Sequence, residues 1–343
     1  LNNLAKLLNF VPLIEHQLNK LVSIITPSFN KADFIVQTVN SVIAQNYTYW
    51  EMIIVDDCST DHSQHLLGNI TTIDARISVI LNERNKGGNA CRNQGLANAK
   101  GEYIIFLDAD DLLDRHCLQN RVENALTKPD ADLWVFPMAV FRQKVGDMSQ
   151  SENWIPPQTD APFLSLFLKH QLPWQTMQPL WSKDFLNRIQ GFDESFVRLQ
   201  DVELHTRALI QGAKVVTFPS LTKDCNFRID ENRFGNKVFK MLKGFTFGAI
   251  QYYNKFYTLL QNTSQQKILT GSLLEPLTNV CFQRKANKIS KSEYQELANE
   301  LIKTCKYKNH AQLLKSYAFI YSLSPTHPKG LKKIISFMAG LNH

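Results

Sequence analysis

No stretch of apolar residues in this chain reaches the roughly 20 that a membrane-spanning helix needs, and its start lacks the layout of a secretory signal. A cytoplasmic protein is the expectation. Cysteine is sparse and scattered: Cys58, Cys91, Cys117, Cys225, Cys281 and Cys305 form no C-x-x-C pair. That argues against a zinc site and a disulfide scaffold alike, and it suits a reducing compartment. The first apolar run is followed by Thr26-Pro27-Ser28-Phe29-Asn30, without a glycine, so the loop that cradles phosphates in P-loop proteins is missing. Internal repeats and low-complexity tracts are absent too. Nor do basic and aromatic residues interleave on one element as a nucleic-acid reader requires.

What remains is a chain of 343 residues with 44% hydrophobic content and a formal charge of +7. Length and apolar content suffice for one large core and a second, smaller unit. The positive balance favours an anionic partner, whether nucleic acid, a membrane surface or a phosphorylated small molecule, and charge alone does not choose among them.

Residues 1–20 carry apolar groups at Leu4, Leu7, Leu8, Val11 and Ile14, the spacing of a short amphipathic extension interrupted near Pro12. Short buried strands are expected at 21–25, 51–55 and 77–81, each continued by a polar or acidic loop, with helices over 34–44 and from about 89 to 101. A further strand is expected at 132–136, an irregular excursion over 140–154, and helices at 163–170 and 202–211. Strand, loop and helix in alternation give a doubly wound α/β sheet, whose ligands bind beyond the carboxyl ends of the strands. From about residue 225 the strand pattern ends. Ser290-Lys291-Ser292-Glu293 has the form of a capping box, and Tyr294, Leu297, Ala298, Leu301 and Ile302 recur at helical spacing. The division is thus a main domain over 21–225 and a mainly helical region over 226–343. Near the end, Lys329, Lys332 and Lys333 alternate with Leu331, Ile334, Ile335, Phe337 and Met338. This is either a packed helix with solvated lysines or a basic amphipathic stretch resting on the inner face of a membrane.

The sharpest chemical signal is Tyr103-Ile104-Ile105-Phe106-Leu107-Asp108-Ala109-Asp110-Asp111, a buried strand that breaks into three carboxylates. Residues two apart on an extended chain point the same way, so Asp108 and Asp110 can converge on one hard divalent cation while Ala109 turns aside. The alternative is a polar turn that caps the next helix. Trp181, in a segment mixing aromatics and prolines, either stacks on a sugar ring or packs in the core. His62 and His65 have metal-ligand spacing without a third partner and read as surface histidines.

Five stretches then carry a family likeness: Ser23-Ile24-Ile25-Thr26-Pro27-Ser28-Phe29-Asn30, Ile54-Val55-Asp56-Asp57-Cys58-Ser59-Thr60-Asp61, Ala90-Cys91-Arg92-Asn93-Gln94-Gly95, Phe106-Leu107-Asp108-Ala109-Asp110-Asp111 and Gly191-Phe192-Asp193-Glu194. In order and spacing, over roughly 21–230, they resemble the inverting family 2 glycosyltransferases with the GT-A fold. The resemblance implies a Rossmann-like, mostly parallel sheet flanked by helices. It implies a nucleotide-diphosphate sugar donor, commonly a UDP-sugar, and transfer of a hexosyl or hexosaminyl group with inversion to a saccharide or lipid-linked saccharide in glycan synthesis. Among the donor-binding positions it places Pro27, Phe29, Asn30, Asp56, Asp57, Gly88, Arg92, Asp108 and Ala109, with Asp56 accepting from the base. Asp110, with Asp108, would hold Mg²⁺ or Mn²⁺.

An inverting transfer also needs a carboxylate to take the acceptor's proton. The family's Glu-Asp pair corresponds here to Gln200-Asp201, so the resemblance makes Asp201 the base and leaves Gln200 an uncharged neighbour on the acceptor side. The alternative for Asp201 is a helix N-cap. Cys58 stands where the family usually has glycine, so that turn must admit a side chain. Asp230 stands where histidine is common, and it either closes over the metal or faces solvent. The altered Gln200 lends weight to a rival, a subunit that binds a sugar nucleotide without transferring the sugar.

Overall fold

The computed structural model describes residues 20–149, 152–159, 162–229, 238–323 and 330. The N-terminal extension, Asp230 and the basic stretch from Leu331 onward lie outside the described residues. Two compact units divide the chain. One comprises Leu1–Gln158, Trp174–Glu194 and Arg207–Asp230, the other Thr159–Pro173, Ser195–Thr206 and Glu231–His343.

The strands of the first unit are β1 Val22–Ser28, β2 Trp50–Asp56, β3 Ile77–Leu81, β4 Tyr103–Phe106, β5 Leu112–Leu113, β6 Leu133–Val135, β7 Met138–Phe141, β8 Pro179–Ser182, β9 Val215–Thr217 and β10 Cys225–Arg228. Seven form one sheet in the order β3-β2-β1-β4-β8-β6-β9, and β5, β10 and β7 form a second. The first four are parallel, whereas β8 runs antiparallel to both β4 and β6. The mostly parallel α/β class expected from strand and helix alternation is what forms.

Ile24 lies in register with Met52 on one side and Ile105 on the other, and all three are fully buried, as strands covered on both faces require. Over the helix Ile35–Ile43 the buried residues are Ile35, Thr38, Val39 and Val42, one stripe at helical spacing. The helix Gly88–Asn98 lies so near β1 that a Cβ at Gly95 would come within 2.4 Å of Ile25 Cγ2. Because β4 returns to the side of β1 opposite β2, strand order reverses between β1 and β4, which opens a crevice beyond their carboxyl ends.

Two expectations are corrected here. Met138–Phe141 is a strand although an irregular excursion was expected from residue 140, and the strand pattern runs on to Arg228, because β10 pairs with both β7 and β5. These strands are created by partners far along the chain, which local periodicity does not register.

The second unit is helical. Helix Gly271–Lys285 packs against Val238–Leu259, Lys291–Thr304 and Lys308–Leu323, around buried Leu242, Val280, Ile289 and Leu297. The expected capping box is present: Ser290 Oγ accepts from Glu293 N (3.2 Å), and Glu293 Oε2 accepts from Ser290 N (2.7 Å). Among the described residues no helix is long and apolar enough to cross a membrane.

His205 in this unit is buried, 5.4 Å ring to ring from Phe167, and burial lowers its pKa to about 3. The folded value lies below the unfolded one, so the stabilisation is complete above pH 6.5 and is lost as pH falls towards 3. Urea denaturation of the wild type should therefore show an acid-side slope approaching about 1.4 kcal/mol per pH unit from this group. His205→Gln should remove that slope, and an unchanged profile would refute the assignment.

Candidate active site

Three loops gather beyond the carboxyl ends of β1, β2 and β4. Asp56 ends β2 and is fully buried. Its Oδ1 accepts from Ser59 N (2.9 Å) and Gln64 Nε2 (3.0 Å), and its Oδ2 from Ser59 Oγ (2.5 Å). Three of a carboxylate's roughly four acceptor positions are taken, so Asp56 folds its own loop with one position left for a further donor. Asp57 likewise accepts from Lys86 N and Gly87 N, both at 2.8 Å, and from Asn82 Nδ2 at 3.2 Å, which holds the 82–87 loop to β2.

Cys58 follows with φ at 64°, the left-handed conformation that a side chain resists by roughly 1–2 kcal/mol. This explains why glycine is usual at the position. Cys58→Gly should raise the urea midpoint, with a net gain of about 0.5 kcal/mol after the added freedom of the unfolded chain is deducted. A lowered midpoint would show that the Sγ contact to Glu83 O at 3.6 Å outweighs the backbone term.

The β1 loop is tied to the same structure. Asn30 N donates to Ser59 Oγ (2.9 Å), and Asn30 Oδ1 accepts from Thr60 N (2.8 Å). Pro27 lies in register with Val55, and Phe29 remains 45% exposed on the rim.

At the third loop the chain leaves β4 at Phe106, and Asp111 N donates back to Asp108 O (3.1 Å). This turn corrects the extended geometry expected to aim Asp108 and Asp110 together, because the strand has ended before Asp108. Instead each carboxylate draws its own cation. Arg92 Nη2 donates to Asp108 Oδ1 at 2.6 Å, and Lys31 Nζ donates to Asp110 Oδ2. Ala109 is buried between them in sequence. Asp111 is buried as well, and burial first, then the charges of Asp110 and Asp108, push its carboxyl well above the usual range.

Arg92 projects from the helix Gly88–Asn98, where a Cβ at Gly88 would come 3.2 Å from Arg92 Nη1. It lies over the Phe192 ring at 5.3 Å, and its buried Nε has no hydrogen-bond partner among the described residues. Phe192 belongs to the Gly191-Phe192-Asp193-Glu194 stretch, which the same helix grips. Asn93 Oδ1 accepts from Phe192 N (2.8 Å), Asn93 Nδ2 donates to Phe192 O (2.9 Å), and Asn89 Nδ2 donates to Asp193 O (2.8 Å).

Sequence reasoning missed this clamp, and it missed Lys31 and Arg228. Arg228 Nε donates to Asp110 O (2.8 Å), Arg228 N donates to Asp111 Oδ1 (2.8 Å), and the guanidinium lies over Phe34 and Phe141 at 4.8 and 4.4 Å. It therefore fixes the acidic turn from β10.

Trp181 is fully buried in β8, paired with Ile104 and Leu133. Packing in the core is the alternative that describes it, and the sugar-stacking expectation is corrected: no ring face is open. Gln200 and Asp201 belong to the second unit, in the first turn of the helix Gln200–Ile210. Leu199 before them has φ at 59°, rare for a bulky residue.

Among the described residues no three His, Cys, Asp or Glu side chains gather as a metal cluster. Mg²⁺ and Mn²⁺ need fewer, since such ions are held by one or two carboxylates together with substrate phosphates and water. Asp108 and Asp110, partly exposed and each already drawing a cation, fit that role, provided that Lys31 releases Asp110.

The family model described as Glycosyl transferase family 2 matches residues 23–185. The chain is 48% identical over 103 residues to TuaG of Bacillus subtilis (strain 168), named for teichuronic acid biosynthesis, a match covering 30% of this chain and 41% of that protein. It thus spans less than half the length of this curated relative. Among solved structures it resembles S. aureus TarS 1-349 in complex with UDP-GlcNAc, with a TM-score of 0.62, 17% identity and coverage of 94% of this chain and 92% of that one. It also resembles the mannosyltransferase PcManGT of Pyrobaculum calidifontis in complex with GDP-Man and Mn²⁺, with a TM-score of 0.54, 15% identity and coverage of 93% and 86%. At these identities the likeness establishes a shared fold.

Proposed function

From the match of residues 23–185 to the glycosyl transferase family 2 model we propose that the chain transfers a sugar from a UDP-sugar to a hydroxyl of a saccharide or lipid-linked saccharide, with inversion, in the synthesis of a surface polysaccharide. The observation that carries this reading is the grouping of Lys31, Arg92, Asp108 and Asp110 at the point where strand order reverses. The UDP-GlcNAc complex of TarS supports the donor class. The name of TuaG supports the polysaccharide.

The exposed Phe29 ring offers a stacking face for the base, a contact worth roughly 1–3 kcal/mol in nucleic-acid binding proteins. Arg92, with a spare buried Nε–H, steadies the diphosphate. Asp108 and Asp110 hold Mn²⁺ or Mg²⁺, which when bound offsets the negative charge of the departing diphosphate. Lys31 turns from Asp110 to phosphate oxygen as the carboxylate is claimed. Asp201 takes the proton of the attacking hydroxyl.

Thermal melting with a panel of UDP-sugars tests this, because a ligand that binds only the folded form stabilises it, by about 2.7 kcal/mol at a hundredfold excess over Kd. At least one UDP-sugar should raise Tm in the presence of Mn²⁺. Asp110→Asn should lose the Mn²⁺-dependent part of the shift. If no nucleotide sugar shifts Tm with or without the metal, the proposal fails; a shift without any donor turnover would favour the non-transferring subunit suggested by Gln200.

A further inference from the structure

A cavity of about 590 Å³ opens in the helical unit, lined by residues of helices Gly271–Lys285, Lys291–Thr304 and Lys308–Leu323. That size falls in the range of roughly 300–1,000 Å³ typical of small-ligand pockets. Cations reach it from all three helices, namely Arg284, Lys285, Lys291 and Lys315. None of its described lining residues is Asp or Glu. Two carboxylates of the middle helix are committed elsewhere: Glu293 is held in the capping box, and Glu296 pairs with Lys243 at 2.7 Å.

Helix electrostatics accounts for only half of this charge. Arg284 and Lys285 sit in the last turn of their helix, where the dipole favours cations. Lys291 opens its helix, at the end where the dipole disfavours a cation, and Lys315 lies mid-helix, beyond the dipole's reach. The rest of the wall is not what a bare anion site needs. Gln295 and Asn299 offer amides that both donate and accept. Tyr294 and Phe319 supply rings, and Phe319 is 63% exposed despite its size.

With no carboxylate lining the cavity, Arg284, Lys291 and Lys315 select an anion, amides match hydroxyl groups, and ring faces pack against the apolar faces of a pyranose. We infer that this cavity binds an anionic saccharide, a segment of oligosaccharide carrying carboxylate or phosphate groups. Arg284, Lys291 and Lys315 meet the charges, Gln295 and Asn299 the hydroxyls, and Phe319 a ring face.

Titration calorimetry on the full chain tests this with trigalacturonate, a trimer of phosphodiester-linked glucose, neutral maltotriose and inorganic tripolyphosphate. At least one of the two charged organic oligomers should bind while maltotriose does not, and which of them binds tells carboxylate from phosphodiester. Lys291→Gln/Lys315→Gln, at two exposed positions, should weaken that binding about tenfold, as two partly exposed ion pairs would. Phe319→Ala should weaken it without altering any affinity for tripolyphosphate. The inference is overturned if neither charged oligomer binds. It is equally overturned if tripolyphosphate binds as tightly and Phe319→Ala changes nothing, or if anionic phosphatidylglycerol vesicles capture the chain through these lysines and the soluble oligomers do not compete. The UDP-sugar shift in Tm is read separately and should be the same in all three proteins, so failure here leaves the donor proposal standing.

Discussion

Asp201→Asn is expected to lower sugar transfer by about 10²–10⁴-fold, the usual worth of a positioned general base, while donor binding followed by the Mn²⁺-dependent Tm shift stays at the wild-type level. The substitution separates the two roles open to Asp201. Its Oδ1 accepts from Val202 N at 2.9 Å, and an asparagine oxygen can accept the same bond. Asn and Asp are also about equally good at helix starts. A residue that served only to begin the helix Gln200–Ile210 would therefore be replaced almost without effect. A base would not, because an amide cannot take the acceptor's proton at neutral pH. The left-handed Leu199 immediately upstream adds weight, since strain held at a loop end is more common where a side chain must be aimed. Single-turnover transfer rates with donor in excess would decide the matter, and wild-type turnover in the variant would dismiss Asp201 as base.

How far the sequence could be read depended on how local the physics was. The strands from Val22 to Phe106 are legible because their apolar runs are long enough to be buried on both faces, and the helix Lys291–Thr304 because Ser290 and Glu293 satisfy each other within one turn. The strands β7, β9 and β10 are not legible. They owe their pairing to segments far along the chain, and β10 exists because β5 and β7 lie on either side of it. The same distinction holds at the site. The break from Phe106 into Asp108 and Asp110 marked the acids, but the partners of those acids come from 16 and 79 residues away, and no spacing rule links them. The assumption of extended backbone through Asp110 failed for a local reason, the turn closed by Asp111 N on Asp108 O. Cys58 was readable as a problem from one residue type alone, since only backbone conformation makes glycine the usual choice there.

Breaking the Arg121 and Asp224 pair should cost more stability than any other single change in the first unit considered above. Arg121 is fully buried on the helix Cys117–Leu126, and Asp224 is 2% exposed just before β10. Nε and Nη2 of the guanidinium donate to the two carboxylate oxygens at 2.9 and 2.7 Å, and Nη1 donates to Met177 O at 2.9 Å. An arginine cannot shed its charge in a protein, so Asp224→Asn strands a cation in the core, at a cost of about 3–5 kcal/mol. Arg121→Met should cost less, because the abandoned carboxyl can bind a proton. The double variant Arg121→Met/Asp224→Leu should recover most of the loss, since apolar replacements of a buried pair are often neutral or better. Against a total of roughly 5–15 kcal/mol, Asp224→Asn alone would bring the fold close to its limit, and urea midpoints for the three variants would show the order directly. The effect should also reach the acidic turn. Asp224 immediately precedes the strand whose Arg228 holds Asp110 O and Asp111 Oδ1, so at a temperature where Asp224→Asn remains folded, its Mn²⁺-dependent donor shift should be smaller than that of the double variant. A single-variant loss within about 1 kcal/mol, the range of an ordinary substitution, would mean that the pair is solvated and that β10 is anchored by its backbone ladder instead.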